Sequence, residues 1–160
     1  MDVRNAEDTE IDQIARVWFD AWRDAHSSLA PPDLTRLRTF ESFRQRIADA
    51  IVEVRVIGPV GAPVGLCMIK QDELYQLFVA SAARGSGAAA ALLADGETRL
   101  AERGVKTAFL ACAIGNDRAA RFYEKHGWRR AHKMMSRLET PEGEFVLEVW
   151  RYEKTLMPSS

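Results

Sequence analysis

The chain has 160 residues and a mass of 18.0 kDa, enough for one core that withdraws roughly two thirds of the unfolded surface from water. Hydrophobic residues make up 47% and charged residues 28%, which excludes disordered, collagen-like and coiled-coil chains. Lys and Arg number 22 against 23 Asp and Glu, so the basic excess of a phosphate-tracking nucleic-acid binder is missing and no nucleic-acid partner is expected.

No apolar run reaches the roughly 18 to 20 residues of a membrane-spanning helix, so no membrane partner is expected. The opening Met1-Asp2-Val3-Arg4-Asn5 lacks a secretion signal, which points to a cytoplasmic protein. Cys67 and Cys112 each sit in an apolar run, and two cysteines build neither a disulfide framework nor a thiolate metal site. Both read as buried thiols, and no metal is expected.

Ile11, Ile14, Ala15, Trp18, Trp22 and Ala25 predict an amphipathic helix, capped by Asp8 or Thr9 and ending near Ser27-Ser28. Ala30-Pro31-Pro32-Asp33 breaks it. Leu34, Leu37, Phe40, Phe43 and Ile47 then predict a second helix from about Asp33 to Ala50. The β-branched run Ile51, Val52, Val54, Val56 and Ile57 predicts a strand, followed by strands at Val64 to Ile69 and Leu74 to Val79 in an antiparallel meander. A helix from about Gly87 to Arg103 turns in Ala89, Leu92, Leu93, Gly96 and Leu100 and is closed by Gly104. The strand Lys106 to Ala113 follows across a whole helix and is expected to run parallel to Leu74 to Val79. A short helix from Asp117 to His126, ended by Gly127, precedes two strands, Trp128 to Leu138 and Phe145 to Lys154, joined at Pro141-Glu142-Gly143. With no repeat or linker, one domain over residues 1–160 is expected.

The segment from Leu77 to Leu93 is a strand, a glycine-bearing loop and the first turn of a helix, an arrangement that gathers unpaired backbone N–H groups around a phosphate or diphosphate. Gly85 and Gly87 let the backbone approach an anion, Ala88 and Ala89 keep side chains clear, and Arg84 adds charge. A nucleoside-triphosphate loop fails for want of its lysine and hydroxyl. Gly85-x-Gly87-x-x-Ala90 fits the dinucleotide fingerprint, yet the next strand, Phe109 to Ala113, carries no ribose-binding acid.

Arg84-x-x-Gly87-x-Ala89 resembles the acyl-CoA loop Gln/Arg-x-x-Gly-x-Gly/Ala of the GNAT superfamily of N-acetyltransferases. The likeness extends to Leu77-Phe78-Val79 and to Asn116, Ala119-Ala120, Phe122-Tyr123 and Gly127-Trp128, where the family commonly reads Asn, Ala, Phe-Tyr and Gly-Phe. It covers about Glu73 to Trp128. The resemblance implies an α/β (α+β) fold: a mixed, mainly antiparallel sheet of about six to seven strands flanked by helices, with a splayed parallel pair in its middle.

It also implies acetyl-CoA as co-substrate. Backbone groups of Leu77, Phe78 and Val79, unpaired toward the cleft, would bond the pantetheine arm like an added strand. The pyrophosphate would rest on N–H groups of Arg84, Gly85, Ser86, Gly87, Ala88 and Ala89, and the Val79 N–H would face the oxyanion. Tyr123 stands where the family places its general acid, and Asn116 would bind the arm or cap the short helix. Glu73 is the nearest general base, set by alternation on the face of Tyr75, Leu77 and Val79; it also reads as a solvated turn residue. His26 is the runner-up base.

In the family the loops here spanning Ser27 to Asp33 and Glu139 to Glu144 wall the acceptor pocket. Trp18 and Trp22 read as an aromatic wall or as core, Glu139, Glu142 and Glu144 as a lure for a cation or a wet turn, and Arg118, Arg121 and Lys125 as partners of the CoA 3′-phosphate or a solvated face. The expected reaction is direct acetyl transfer to the primary amine of a small molecule. A protein amino terminus or lysine is the alternative acceptor, and a non-catalytic CoA-binding module the alternative class. Homodimers are common in the family.

Overall fold

The computed structural model describes residues 2–156. Strands β1 (Val3–Asn5), β2 (Val54–Ile57), β3 (Gly65–Lys70), β4 (Glu73–Val79), β5 (Thr107–Ala113), β6 (Arg129–Thr140) and β7 (Gly143–Thr155) form one sheet in the order β1-β2-β3-β4-β5-β7-β6. Every neighbouring pair is antiparallel except β4 and β5, which are parallel as the whole-helix connection predicts. Helices α1 (Ile11–His26), α2 (Pro32–Leu37) and α3 (Phe40–Asp49) precede β2; α4 (Ala88–Glu102) joins β4 to β5, and α5 (Asp117–Lys125) follows β5.

Three local expectations change. The single helix from Asp33 to Ala50 is two, because Arg38 leaves helical geometry and Thr39 starts α3, its Oγ1 accepting the Ser42 N–H at 3.1 Å. Ile51 and Val52 belong to a one-turn 3₁₀ segment, and the strand begins only at Val54, where side chains enter the core. β1 had no counterpart in the sequence reading, since three residues are too few to display alternation.

The two faces of the sheet carry separate cores. On one, Ile14, Trp18, Phe43 and Ile47 from α1 and α3 pack on Val54, Val56, Leu66 and Met68. On the other, Leu92, Leu93 and Leu100 of α4 pack on Cys67, Ile69, Leu74 and Leu110 with Trp128. Both cysteines are buried, and burial pushes their thiols up to about 12 for Cys67 and about 11 for Cys112, which keeps them unreactive at neutral pH.

The position of α4 decides where its amino-terminal N–H groups stand. The helix lies close to the sheet because Gly96 has no side chain: a Cβ there would sit 2.6 Å from Leu74 Cδ1 and 3.0 Å from Cys67 Sγ. Both oxygens of Glu97 are held, by Trp128 Nε1 at 3.1 Å and by Lys154 Nζ at 2.7 Å, which ties α4 to β7. Gly96→Val is therefore expected to lift the helix and destabilise the fold by about 1–3 kcal/mol, read as a lower urea midpoint; an unchanged midpoint contradicts the close approach. Among the described residues no helix is long and apolar enough to cross a membrane.

Candidate active site

β4 lies beside β5 at one register position only, Glu73 opposite Phe109, where the Phe109 N–H reaches the Asp72 carbonyl at 3.2 Å. Beyond it the two strands part, leaving a wedge open in the sheet. A β-bulge sets what faces that wedge: Ile69 pairs with Leu74 and Met68 with Gln76, so Tyr75 is an extra residue. Past the bulge the Ala80 N–H bonds the Val64 carbonyl at 2.8 Å, and antiparallel bonding alternates from there. Gln76 and Phe78 consequently direct their backbone groups to β3, and Leu77 and Val79 direct theirs into the wedge.

This corrects two expectations. The backbone of Phe78 is engaged with Leu66 rather than free, although its side chain still lines the cleft. Glu73 and Tyr75 do not share a face with Leu77 and Val79: Tyr75 packs with the α1 and α3 core, Leu77 and Val79 with the α4 core, because the extra residue inverts the alternation.

The loop between β4 and α4 forms the second half of the cleft. Gly85 and Gly87 both take left-handed backbone conformations, φ 79° and 88°, that a residue with a side chain adopts only under strain. A Cβ at either would meet nothing within 4 Å, so the approach to their N–H groups is clear. The cradle is narrower than the run from Arg84 to Ala89. The N–H groups of Arg84 and Ser86 bond Ser81 and Ala83 carbonyls, and that of Ala88 bonds Ser86 Oγ. Those of Gly85, Gly87, Ala89 and Ala90 donate to no protein acceptor among the described residues. The Arg84 guanidinium is turned to Asp24 of α1 at 2.6 Å, so its charge is shared with a carboxylate instead of standing free over the loop.

Together the wedge and the loop bound a cleft of about 470 Å³ lined by Leu77, Phe78, Val79, the loop, and the α5 residues Arg118, Phe122, Tyr123 and Lys125. Asn116 Oδ1 caps α5 by accepting the Ala119 N–H at 3.3 Å, and the residue also lines the cleft. Arg121 stays on the exposed side.

A second cavity, about 220 Å³, lies across the wedge. Leu77, Phe78, Asn116, Ala119, Tyr123 and His26 belong to both, so the gap between β4 and β5 connects them. Tyr123 is half-buried at this junction, its hydroxyl without a protein partner among the described residues, and burial pushes its pKa upward, which keeps the phenol protonated. Glu73 lines the second cavity. Burial pushes its carboxyl up to about 7; Lys70 and Arg151 oppose the rise and Asp72 adds to it. His26 is driven down to about 4 by burial, too weak a base for neutral pH, whereas the Glu73 value matches the task.

A model of the acetyltransferase (GNAT) family matches residues 11–128. The chain belongs to this family. No curated protein matches the sequence. Among solved structures it is similar to the GCN5-related N-acetyltransferase of Rhodopseudomonas palustris (TM-score 0.74, 15% identity, 96% of this chain on 94% of that one). It is also similar to the PaiA N-acetyltransferase of Thermoplasma acidophilum, solved in complex with coenzyme A (TM-score 0.72, 14% identity, 96% on 98%), and to the ribosomal-protein-alanine N-acetyltransferase of Brucella melitensis (TM-score 0.69, 18% identity, 98% on 100%). At these identities the likeness is one of fold, and the mainly antiparallel sheet with its parallel middle pair is the GNAT arrangement.

Within this GNAT domain the remaining sequence candidates separate. Trp18 is core, while Trp22, also buried, lines the second cavity. The turn from Glu139 to Glu144 does not wall that cavity: Glu142 pairs with Arg36 at 3.0 Å, Glu139 with Lys70 at 3.5 Å, and Glu144 with Arg137 at 3.4 Å. The wall comes from the strands behind the turn, Leu138 of β6 and Leu147, Glu148 and Val149 of β7. The sequence reading missed these, although alternation in β6 and β7 marks Leu138, Leu147 and Val149 as facing one side.

Proposed function

We propose that the chain acts as one cytoplasmic domain that transfers an acetyl group from acetyl-CoA directly to the primary amine of a small molecule. The observation that carries this reading is the parting of β4 from β5 after Glu73, which leaves the Leu77 and Val79 amides open beside the free N–H groups of Gly85, Gly87, Ala89 and Ala90.

The chain's own groups suit each step. Leu77 and Val79 offer donors and acceptors to an amide-bearing arm, and the loop N–H groups with the dipole of α4 offer a seat for the diphosphate. Arg118 and Lys125, both on the cleft, supply positive charge for the remaining phosphate. The amine enters from the second cavity and gives a proton to Glu73, directly or through water. Its nitrogen attacks the thioester carbon, and the Val79 N–H stabilises the oxyanion. When the carbon–sulfur bond breaks, the electron pair goes to sulfur and Tyr123 supplies its proton; the second proton of the attacking nitrogen passes to the tyrosinate, directly or through water, and restores the phenol. Products are the acetamide and the free thiol, and no group of the enzyme is acylated.

Calorimetry with acetyl-CoA and with NADPH, followed by thiol release in the presence of primary amines, tests the reading; NADPH binding in place of acetyl-CoA would refute it. The role of Glu73 has its own signature. A base with a pKa of about 7 is idle below that pH, so the wild-type kcat/KM should rise up to about pH 7 and level off above it. Glu73→Gln depends on amine already deprotonated in solution, so its kcat/KM should be lower and keep rising towards the amine's own pKa. Profiles of the same shape in the two proteins remove Glu73 as the base.

A further inference from the structure

The second cavity says more about the acceptor than that it is an amine. Its volume, about 220 Å³, is below the roughly 300–1,000 Å³ of sites for drug-sized ligands. Trp22, Leu34, Leu138 and Leu147 form its body, and among the described residues no lysine or arginine lines it. Glu73 is its inward carboxyl; Glu148, between Leu147 and Val149, turns its exposed side chain to the other face of β7, and His26 is neutral at pH 7.

The surroundings limit what can extend from it. The tip of the β6–β7 hairpin is tied to the α2 side by Arg36 with Glu142 at 3.0 Å and by Arg38, which is buried and donates to the Glu139 carbonyl at 2.6 Å. Leu34 of α2 and Leu138 of β6 face the cavity beneath this tie. Leu29, 40% exposed, lies beside Gly115, with its Cδ2 3.0 Å from where a Cβ would stand, which brings the α1–α2 loop against the β5–α5 turn. A polypeptide acceptor would have to leave between these contacts.

Resting on the transferase reading, we infer that the acceptor is a small primary amine with an apolar aromatic or branched body and no carboxylate, its ammonium end received by Glu73. A carboxylate beside the amine would meet the Glu73 carboxyl and find no lysine or arginine in the wall to pair with, which disfavours free amino acids by repulsion as well as by lack of a partner. The hydrocarbon body fills the Trp22 and leucine wall, where apolar burial supplies the binding energy.

The test uses the full chain with saturating acetyl-CoA and compares kcat/KM for 2-phenylethylamine, phenylalanine, spermidine and an alanine-terminated peptide, with acetyl-CoA affinity measured separately by calorimetry. The phenylethylamine to phenylalanine ratio is expected to exceed a hundredfold. It should fall at least tenfold in Leu147→Arg, which places a cation in the wall, and also in Leu147→Lys, a second cation on a slimmer side chain. Acetyl-CoA binding with phenylalanine, spermidine or the peptide used as well as phenylethylamine overturns this inference and leaves the transferase reading standing. Acetyl-CoA binding with no thiol release from any of the four overturns it as well. Absence of acetyl-CoA binding overturns both.

Discussion

Tyr123→Phe is expected to lower turnover by about 10²- to 10⁴-fold, the range associated with a positioned general acid. The acetyl-CoA dissociation constant is expected to stay nearly unchanged. The substitution removes one oxygen that has no protein partner among the described residues and preserves a ring packed edge-on to Phe122 and Trp128, with centroids at 5.5 and 6.4 Å, so the fold has no reason to change. What is lost is a proton source at the junction of the two cavities, kept in its neutral form by burial. Stopped-flow thiol detection together with calorimetry separates the two quantities. Turnover equal to the wild type would mean that the thiolate leaves without help or takes its proton from water.

Gly87→Glu is expected to abolish acetyl-CoA binding. Two effects act in the same direction. The backbone there holds φ at 88°, a region that costs a residue with a side chain about 1–3 kcal/mol. The carboxylate also projects into the space over the free N–H groups, and two charges about 4 Å apart at an effective dielectric near 20 repel by about 4 kcal/mol. Affinity should drop by more than a hundredfold. Gly87→Ala carries the strain alone, so its smaller loss, read in the same titration, apportions the two. Wild-type affinity in Gly87→Glu would show that the diphosphate rests elsewhere.

Much of this site is legible in the order of residues. Gly85 and Gly87 announce a left-handed turn ahead of a helix, Asn116 announces a cap, and a strand separated from its neighbour by a whole helix must run parallel to it. Thr39 also carried a signal, a capping residue inside an apolar pattern, but the continuing periodicity of Leu34, Leu37, Phe40 and Phe43 hid the break. The fate of Arg84 was not readable, since Asp24 is 60 residues away in the chain and meets it through folding alone.

Local backbone chemistry, then, is settled by neighbours in the chain: which residues bend, which start a helix, which stretch alternates, and so which fold family and which glycine-bearing loop are present. Placement across the sheet is a different matter. That Tyr75 is the surplus residue of β4 depends on how many residues β3 sets against it, and this count turns Leu77 and Val79 toward the wedge, Phe78 away from it, and Glu73 to the opposite face. The rise of the Glu73 carboxyl to about 7, and the leucine wall facing it, likewise arise from α1, α2, β6 and β7 closing over one end of β4. Burial is a property of the assembled layers, and no window of sequence contains all of them.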